Sequence, residues 1–206
     1  MAQALSAFLE NTVLRYSVTI GLYMCSMGFG ALAAEKKFIK HPLVTLAAVE
    51  ILLTLIGGSA IVILYFMDML KLSLFIFVVL SHFLIIIIGV LTGLELPLIL
   101  EIVHVKQKNL ENVVLGFDYM GALMGTIIFA FVFYPHIGLL PSAFFVALLN
   151  ALSGVVLFML KKEVHGQQQK IFDRLLYCLM VLFFFNLILL KYAGPINIYF
   201  INRYIA

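Results

Sequence analysis

Long apolar runs alternate with short polar breaks along nearly the whole chain. A helix that crosses a bilayer needs about 20 mainly apolar residues. Six runs meet that length, at about 12–34, 43–67, 72–100, 112–134, 138–160 and 173–192. The breaks carry charged or turn-forming residues: EKKFIKHP (Glu35–Pro42), MDMLK (Met67–Lys71), HVKQKNLEN (His104–Asn112), YPHIG (Tyr134–Gly138) and KKEVHGQQQK (Lys161–Lys170). No period-2 alternation competes with these runs, which excludes a transmembrane β-barrel. The pattern predicts an all-α fold, a polytopic transmembrane bundle of about six helices, with residues 1–206 as a single domain. Six helices also match half of a major-facilitator-type carrier. The tail AGPINIYFINRYIA (Ala193–Ala206), rich in Tyr, Phe and Ile, is expected as a short interfacial segment rather than a seventh span.

Composition strengthens the bilayer expectation. The chain is 65% hydrophobic and 11% charged, whereas a soluble domain carries about 25% charged residues. So apolar a chain has no polar exterior to offer water, and a lipid bilayer is the expected solvent. The first apolar run lacks a basic leader and a cleavage-like exit, so it is read as a retained helix rather than a signal peptide. The net charge of +3 is spread among loops, which argues against a nucleic-acid surface. Nine of the 13 Lys and Arg lie in or beside alternate breaks: Lys36, Lys37 and Lys40 in the first, Lys106 and Lys108 in the third, and Lys161, Lys162, Lys170 and Arg174 at the fifth. The positive-inside rule then places loops one, three and five in the cytoplasm and both termini outside.

Ionisable residues at membrane depth are costly, so each needs a reason. Three acids stand out: Glu50, Glu95 and Asp118. At a rise of about 1.5 Å per residue, Glu50 and Asp118 fall roughly 12 Å and 9 Å from the cytoplasmic starts of their helices. Glu95 lies near the cytoplasmic end of a helix running the other way, so the three share a depth and are candidate ligands for a cation. Glu95 sits in GLELPL (Gly93–Leu98), where Pro97 removes a backbone donor and crowds the Gly93 carbonyl, predicting a kink. A freed carbonyl beside a carboxylate suits a cation or an amine. The alternative for Glu95 and Asp118 is structural, as acids reaching an interface or a helix terminus. Arg15 lies toward the opposite side and is read as snorkelling outward.

The small residues have a packing reading. Gly121 and Gly125 form a small-xxx-small pair in DYMGALMG (Asp118–Gly125), and Gly57 and Gly58 offer a similar site. Asn150 and Asn186 are expected to make interhelical hydrogen bonds. GFGALA (Gly28–Ala33) matches a dinucleotide fingerprint in letters only, since no strand precedes it. His82 reads as a satisfied core histidine or as part of a proton path. Cys25 and Cys178 lie in apolar runs and read as small hydrophobes. No metal-ligand spacing, cofactor motif or nucleophile–base pair is apparent, so no metal, cofactor or catalytic residue is expected.

Several of these stretches resemble the membrane domain of bacterial spermidine synthase-like proteins, the polyamine aminopropyltransferases. VLGFDYMGALMGTIIFAFVFYPHIGLLPSAFFVALLNAL (Val114–Leu152) is similar to a pattern of that domain at Asp118, Tyr119, Gly121, Ala122, Gly125, Pro135, Gly138, Leu139, Ala143 and Asn150. GLELPL, YSVTIGLYMCSMGFGALAA (Tyr16–Ala34) and VEILLTLIGG (Val49–Gly58) resemble three further segments. The resemblance implies a bacterial cytoplasmic membrane location and a link to polyamine chemistry. Members of the family usually begin with one more membrane helix and continue into a Rossmann-like domain that binds decarboxylated S-adenosylmethionine and a diamine. Neither is expected here, so the aminopropyl transfer is not carried over.

Three functions compete. The first is a non-catalytic module that anchors or scaffolds a partner, an aminopropyltransferase-like enzyme being the natural one. The second is a transporter-like bundle, completed as a dimer, that binds a polyamine or another small cation through Glu50, Glu95 and Asp118. The third is an accessory subunit of a larger membrane complex. All three expect association through membrane helices into a homo- or hetero-oligomer.

Overall fold

A computed structural model describes residues 5, 12–37, 40–106 and 110–205. Among the described residues every regular element is helical. Six long helices follow one another: α1 (Thr12–Lys37), α2 (Pro42–Met69), α3 (Leu74–Lys106), α4 (Glu111–Ile137), α5 (Leu139–Met159) and α6 (Gln167–Ile205). Each contains a stretch long and apolar enough to cross a membrane. Their boundaries fall close to the runs read from hydropathy, except at the ends of α3 and α6. Of the basic residues used for orientation, Lys108 lies outside the described residues.

Helix α2 is the central post. It packs against α3, α5 and α6, and half of its most apolar window is buried. It is apolar around its whole circumference, as a helix surrounded by others must be. Pro42 opens it at a position where a missing N–H costs no hydrogen bond. Helix α1 lies along α3, and here glycine decides the geometry. A Cβ on Gly30 would sit 2.2 Å from the Val90 carbonyl oxygen, and one on Gly93 would sit 2.1 Å from that of Met27. With Gly89 against Tyr23 and Gly93 against Met27, the two helices run parallel, backbone on backbone. Close approach of this kind needs small residues and brings Cα–H groups onto carbonyls.

The buried side chains form two clusters. One joins Ala34, Leu46, Leu53, Leu98, Phe172 and Leu179; the other joins Ile61, Leu64, Ile85, Leu140, Phe144 and Ala193. At the first cluster's end, His104 pairs with Glu111 across the break between α3 and α4, and Lys161 meets Asp173 at 2.9 Å across the break between α5 and α6. Gly138 links α4 to α5 at φ 83°, a value that favours glycine.

Two features depart from expectation. The tail from Ala193 is not a separate interfacial segment: α6 continues through Pro195 to Ile205. A proline removes one helical hydrogen bond, and packing offsets that here. Ala193 is buried, Ile196 packs on the second cluster, and Phe200 stacks on Tyr65 with ring centroids 5.1 Å apart. The second departure is α4. Its α-helical part ends at Ile128, Phe129–Phe133 form a π-helical turn, and Tyr134–Ile137 resume the α-helix. Pro135 lacks the donor that would close a regular turn there, a common cause of such bulges. No residue of α4 is buried, whereas the other five apolar windows are 22–50% buried.

Candidate functional site

A cleft of about 350 Å³ opens where the two core clusters meet, with Leu53 of the first and Ile61 of the second in its wall. Glu95 of α3 lines it, with Thr92 one turn-fraction earlier on the same helix. Asn150, Ser142 and Ala147 come from α5, Gly57 and Gly58 from α2, Tyr23 from α1 and Phe129 from α4. Most of the wall is aliphatic, and it contains no Lys, Arg or His.

The three acids occupy different settings. Glu50 is buried at 8% exposure on α2, and its carboxyl pairs with the Ser153 side chain on α5. The Ser153 hydroxyl also lies 2.5 Å from the Asn150 carbonyl oxygen, which ties this pair to the cleft wall. Glu95 is half-buried and interacts electrostatically with both Glu50 and Asp118. Asp118 is exposed on α4. Glu95 is thus the member that the other two share.

Most other polar groups nearby are already engaged. Thr92 donates to the Ile88 carbonyl at 3.0 Å, Ser142 to that of Gly138 at 2.6 Å, and Asn186 to that of Leu182 at 2.9 Å. His82 hydrogen-bonds the Val78 carbonyl at 2.7 Å, the arrangement of a satisfied structural histidine. Thr54 is 1% exposed, and among the described residues its hydroxyl has no hydrogen-bond partner. Thr54 lies one helical turn after Glu50 and one before Gly58, on the same face of α2. Among the described residues no group of three His, Cys, Asp or Glu side chains is placed to hold a metal ion.

The glycines divide differently from their sequence patterns. Among the described residues, Gly121 and Gly125 pack against nothing, since a Cβ on either meets no atom within 4 Å. Tight small-residue contacts are made by Gly30, Gly89 and Gly93 between α1 and α3 and, as expected of the Gly57–Gly58 site, by Gly58 against Ala147. Gly93 therefore has a packing reason of its own, beside Pro97 inside the same helix. Sequence reasoning missed Ser153, Thr54 and Tyr23. Each is a polar side chain in an apolar run, but nothing in a helix that is apolar all round tells which way it faces.

The fold and the cleft define a class before any comparison: a bundle of six helices long and apolar enough to cross a membrane, with a carboxylate in the wall of an internal cleft. Known proteins narrow it. The chain is 35% identical over 160 residues to the polyamine aminopropyltransferase of Leptospira interrogans, covering 74% of this chain and 30% of that protein. It is 33% identical over 165 residues to the polyamine aminopropyltransferase of Oceanobacillus iheyensis, covering 77% and 31%. It is 34% identical over 157 residues to polyamine aminopropyltransferase 1 of Streptomyces coelicolor, covering 73% and 28%. These similarities establish a spermidine synthase-like relationship. The chain spans about 30% of the length of these curated relatives. No family model and no solved structure matches it.

Proposed function

We propose that this chain is a non-catalytic, multi-pass module of the bacterial cytoplasmic membrane that holds an aminopropyltransferase-like partner there. The observation that carries this reading is α4, a 27-residue apolar span with 0% of its window buried. A bilayer suits its Leu, Met and Phe side chains but not Asp118, since an acid at membrane depth costs about 2.5–3.5 kcal/mol on insertion scales. Gly121 and Gly125 stand on the same helix, a pair that lets a second backbone approach closely. A partner helix would shield the acid and fill that site. The relatives are named as aminopropyltransferases and extend well beyond the matched segment, which makes an enzyme of that kind the natural partner. The basic loops one, three and five support a cytoplasmic position for it. Purification from native membranes in mild detergent tests the reading. Recovery of an aminopropyltransferase-like chain or domain is the expected outcome; a chain that is always isolated alone, and behaves the same when candidate partners are deleted, refutes it.

A second reading is favoured by a different observation, the cleft with Glu95 in its wall. It makes the bundle a binder, and in a dimeric form a carrier, of a small cation. Uptake or binding in proteoliposomes tests it, with no effect of neutralising Glu50, Glu95 and Asp118 as the refuting result.

A further inference from the structure

We propose that a groove between α5 and α6 holds an acyl chain of an anionic phospholipid, with the phosphate of its headgroup seated on Lys161 and Lys162 at the groove's end. The groove shares no lining residue with the cleft that contains Glu95. All eight of its lining residues are apolar, and its volume is about 330 Å³. Small residues, Ala151 and Gly154, supply its floor. A Cβ on Gly154 would stand 3.0 Å from that of Leu179, so α5 and α6 come close there with little side chain between them. Phe158 on α5 and Met180, Phe183 and Phe184 on α6 are the taller side chains around that floor.

Dimensions select a hydrocarbon chain. The lining residues extend from Ala151 to Phe158 on α5 and from Leu176 to Phe184 on α6, about 10–12 Å at a rise of about 1.5 Å per residue. Spread over that length, the volume gives a cross-section of about 30 Å². One extended acyl chain fits such a channel. A helix, about 10–12 Å across with its side chains, does not. The length is also roughly two-thirds of one leaflet's hydrocarbon, about 15 Å, within reach of a chain that enters from one membrane surface.

Charge selects the headgroup. On α5, Lys161 follows Phe158 by three residues, and its Nζ lies 6.0 Å from the Phe158 ring centroid. On α6, Asp173 precedes Leu176 by three residues, and Lys161 and Asp173 meet at 2.9 Å. This ion pair closes one end of the groove. Residues 161–174 carry four basic side chains, Lys161, Lys162, Lys170 and Arg174, against two acids, Glu163 and Asp173. A surplus of positive charge is left at that end. Lys162 is exposed and, among the described residues, is in no ion pair. The start of α6 at Gln167 adds the positive end of its macrodipole on the same side. Basic pockets between membrane helices on the cytoplasmic side bind anionic headgroups, and the positive-inside rule puts loop five on that side. A zwitterionic headgroup brings its own ammonium, which the lysines repel.

The chain contains no Trp, so a single introduced Trp reports its own surroundings. Phe184→Trp places one in the groove wall, and Phe185→Trp places one on an exposed neighbouring face. The full chain is reconstituted in phosphatidylcholine vesicles containing phosphatidylglycerol or phosphatidylcholine with brominated acyl chains, and fluorescence quenching gives the relative affinity of the two lipids. The expected preference for phosphatidylglycerol is about fivefold or more at the Phe184→Trp reporter, the increment of about one unneutralised lysine, and under about twofold at Phe185→Trp. Lys162→Gln lowers the preference in the groove, and Asp173→Asn, which frees Lys161, raises it. Changes of opposite sign from one cluster separate loss of a contact from loss of fold. Equal quenching by the two lipids at Phe184→Trp overturns the headgroup assignment, as does a preference that survives Lys161→Gln with Lys162→Gln. The same preference at both reporters overturns the groove as the site. Protection of the Phe184→Trp reporter from both lipids overturns the occupant and gives the groove to a protein segment.

Discussion

Replacing Gly93 with alanine drives a methyl group into the backbone of α1. The added Cβ would stand 2.1 Å from the Met27 carbonyl oxygen and 2.8 Å from both its carbonyl carbon and its Cα. Ordinary contact begins near 3.4 Å, so α1 and α3 must separate by about 1.3 Å. The obstructing atoms are main chain and cannot rotate away, and the same shift loosens the approach at Gly30, where a Cβ would sit 2.2 Å from the Val90 carbonyl oxygen. Overpacking costs about 1–3 kcal/mol, and a clash with rigid backbone belongs at the upper end. Alanine recovers about 1 kcal/mol of helix propensity over glycine. The net loss is therefore about 2 kcal/mol. A shift of about 2–4 °C per kcal/mol holds for soluble chains of this length, so a fall in melting temperature of roughly 4–8 °C is expected. Thermal unfolding of the purified chain in one detergent, followed by circular dichroism, measures it. Gly121→Ala is the internal control, because its Cβ meets no atom, and it should melt at or slightly above the parent. Equal melting temperatures for Gly93→Ala and the parent would refute the parallel backbone contact of α1 and α3.

Further predictions concern α4, α2 and the end of α6. Gly121→Ile with Gly125→Ile should leave thermal stability within about 1 kcal/mol of the parent, since both sites face open space. The same pair should abolish capture of a partner in native-membrane pull-downs; undiminished capture would remove α4 as the docking helix. Thr54→Val removes an unpartnered buried hydroxyl, and unfolding in denaturing detergent should show a gain of up to about 1 kcal/mol in the absence of ligand. A marked loss would mean that the hydroxyl has a partner in the unliganded protein. Tyr65→Ala should cost about 0.5–1.5 kcal/mol of ring stacking beyond its area. Its signature is faster hydrogen exchange of amides 193–200, and unchanged exchange there would show that the stack does not hold the end of α6.

The number and placement of the helices were legible because apolar runs of about 20 residues between charged breaks have few other physical solutions. The same uniformity hid the interior. In α2, buried Glu50 and Thr54 sit among residues that are apolar on every side, so no stripe marks the face that meets α5. The pair Gly121 and Gly125 looked like a packing motif, yet the tight contacts fall at Gly30, Gly89 and Gly93, whose spacing becomes meaningful only when two helices are aligned. The end of α6 was obscured by Ala193–Gly194–Pro195, a strong local stop that tertiary contacts of Ala193, Ile196 and Phe200 override. The link between Glu95 and the other two acids was foreseeable as shared depth, whereas the Glu50–Ser153 pair required knowing the register of α2 on α5.

The π turn of α4 gives that helix a double membership. Phe129, its first residue, is the part of α4 that reaches the cleft wall, and Gly125 and Gly121, one and two turns earlier, continue the same helix face, where a Cβ on either meets no atom of the described residues within 4 Å. A body docked at the two glycines would lie along the face of α4 that leads to the cleft. If a partner docks there and a ligand enters the cleft, the two events share one free-energy coupling, which thermodynamics makes reciprocal. Whatever factor a docked partner would add to the cleft's affinity for a ligand, the ligand would return to the partner. A surface built this way would report, to whatever docks on it, how full the cleft is.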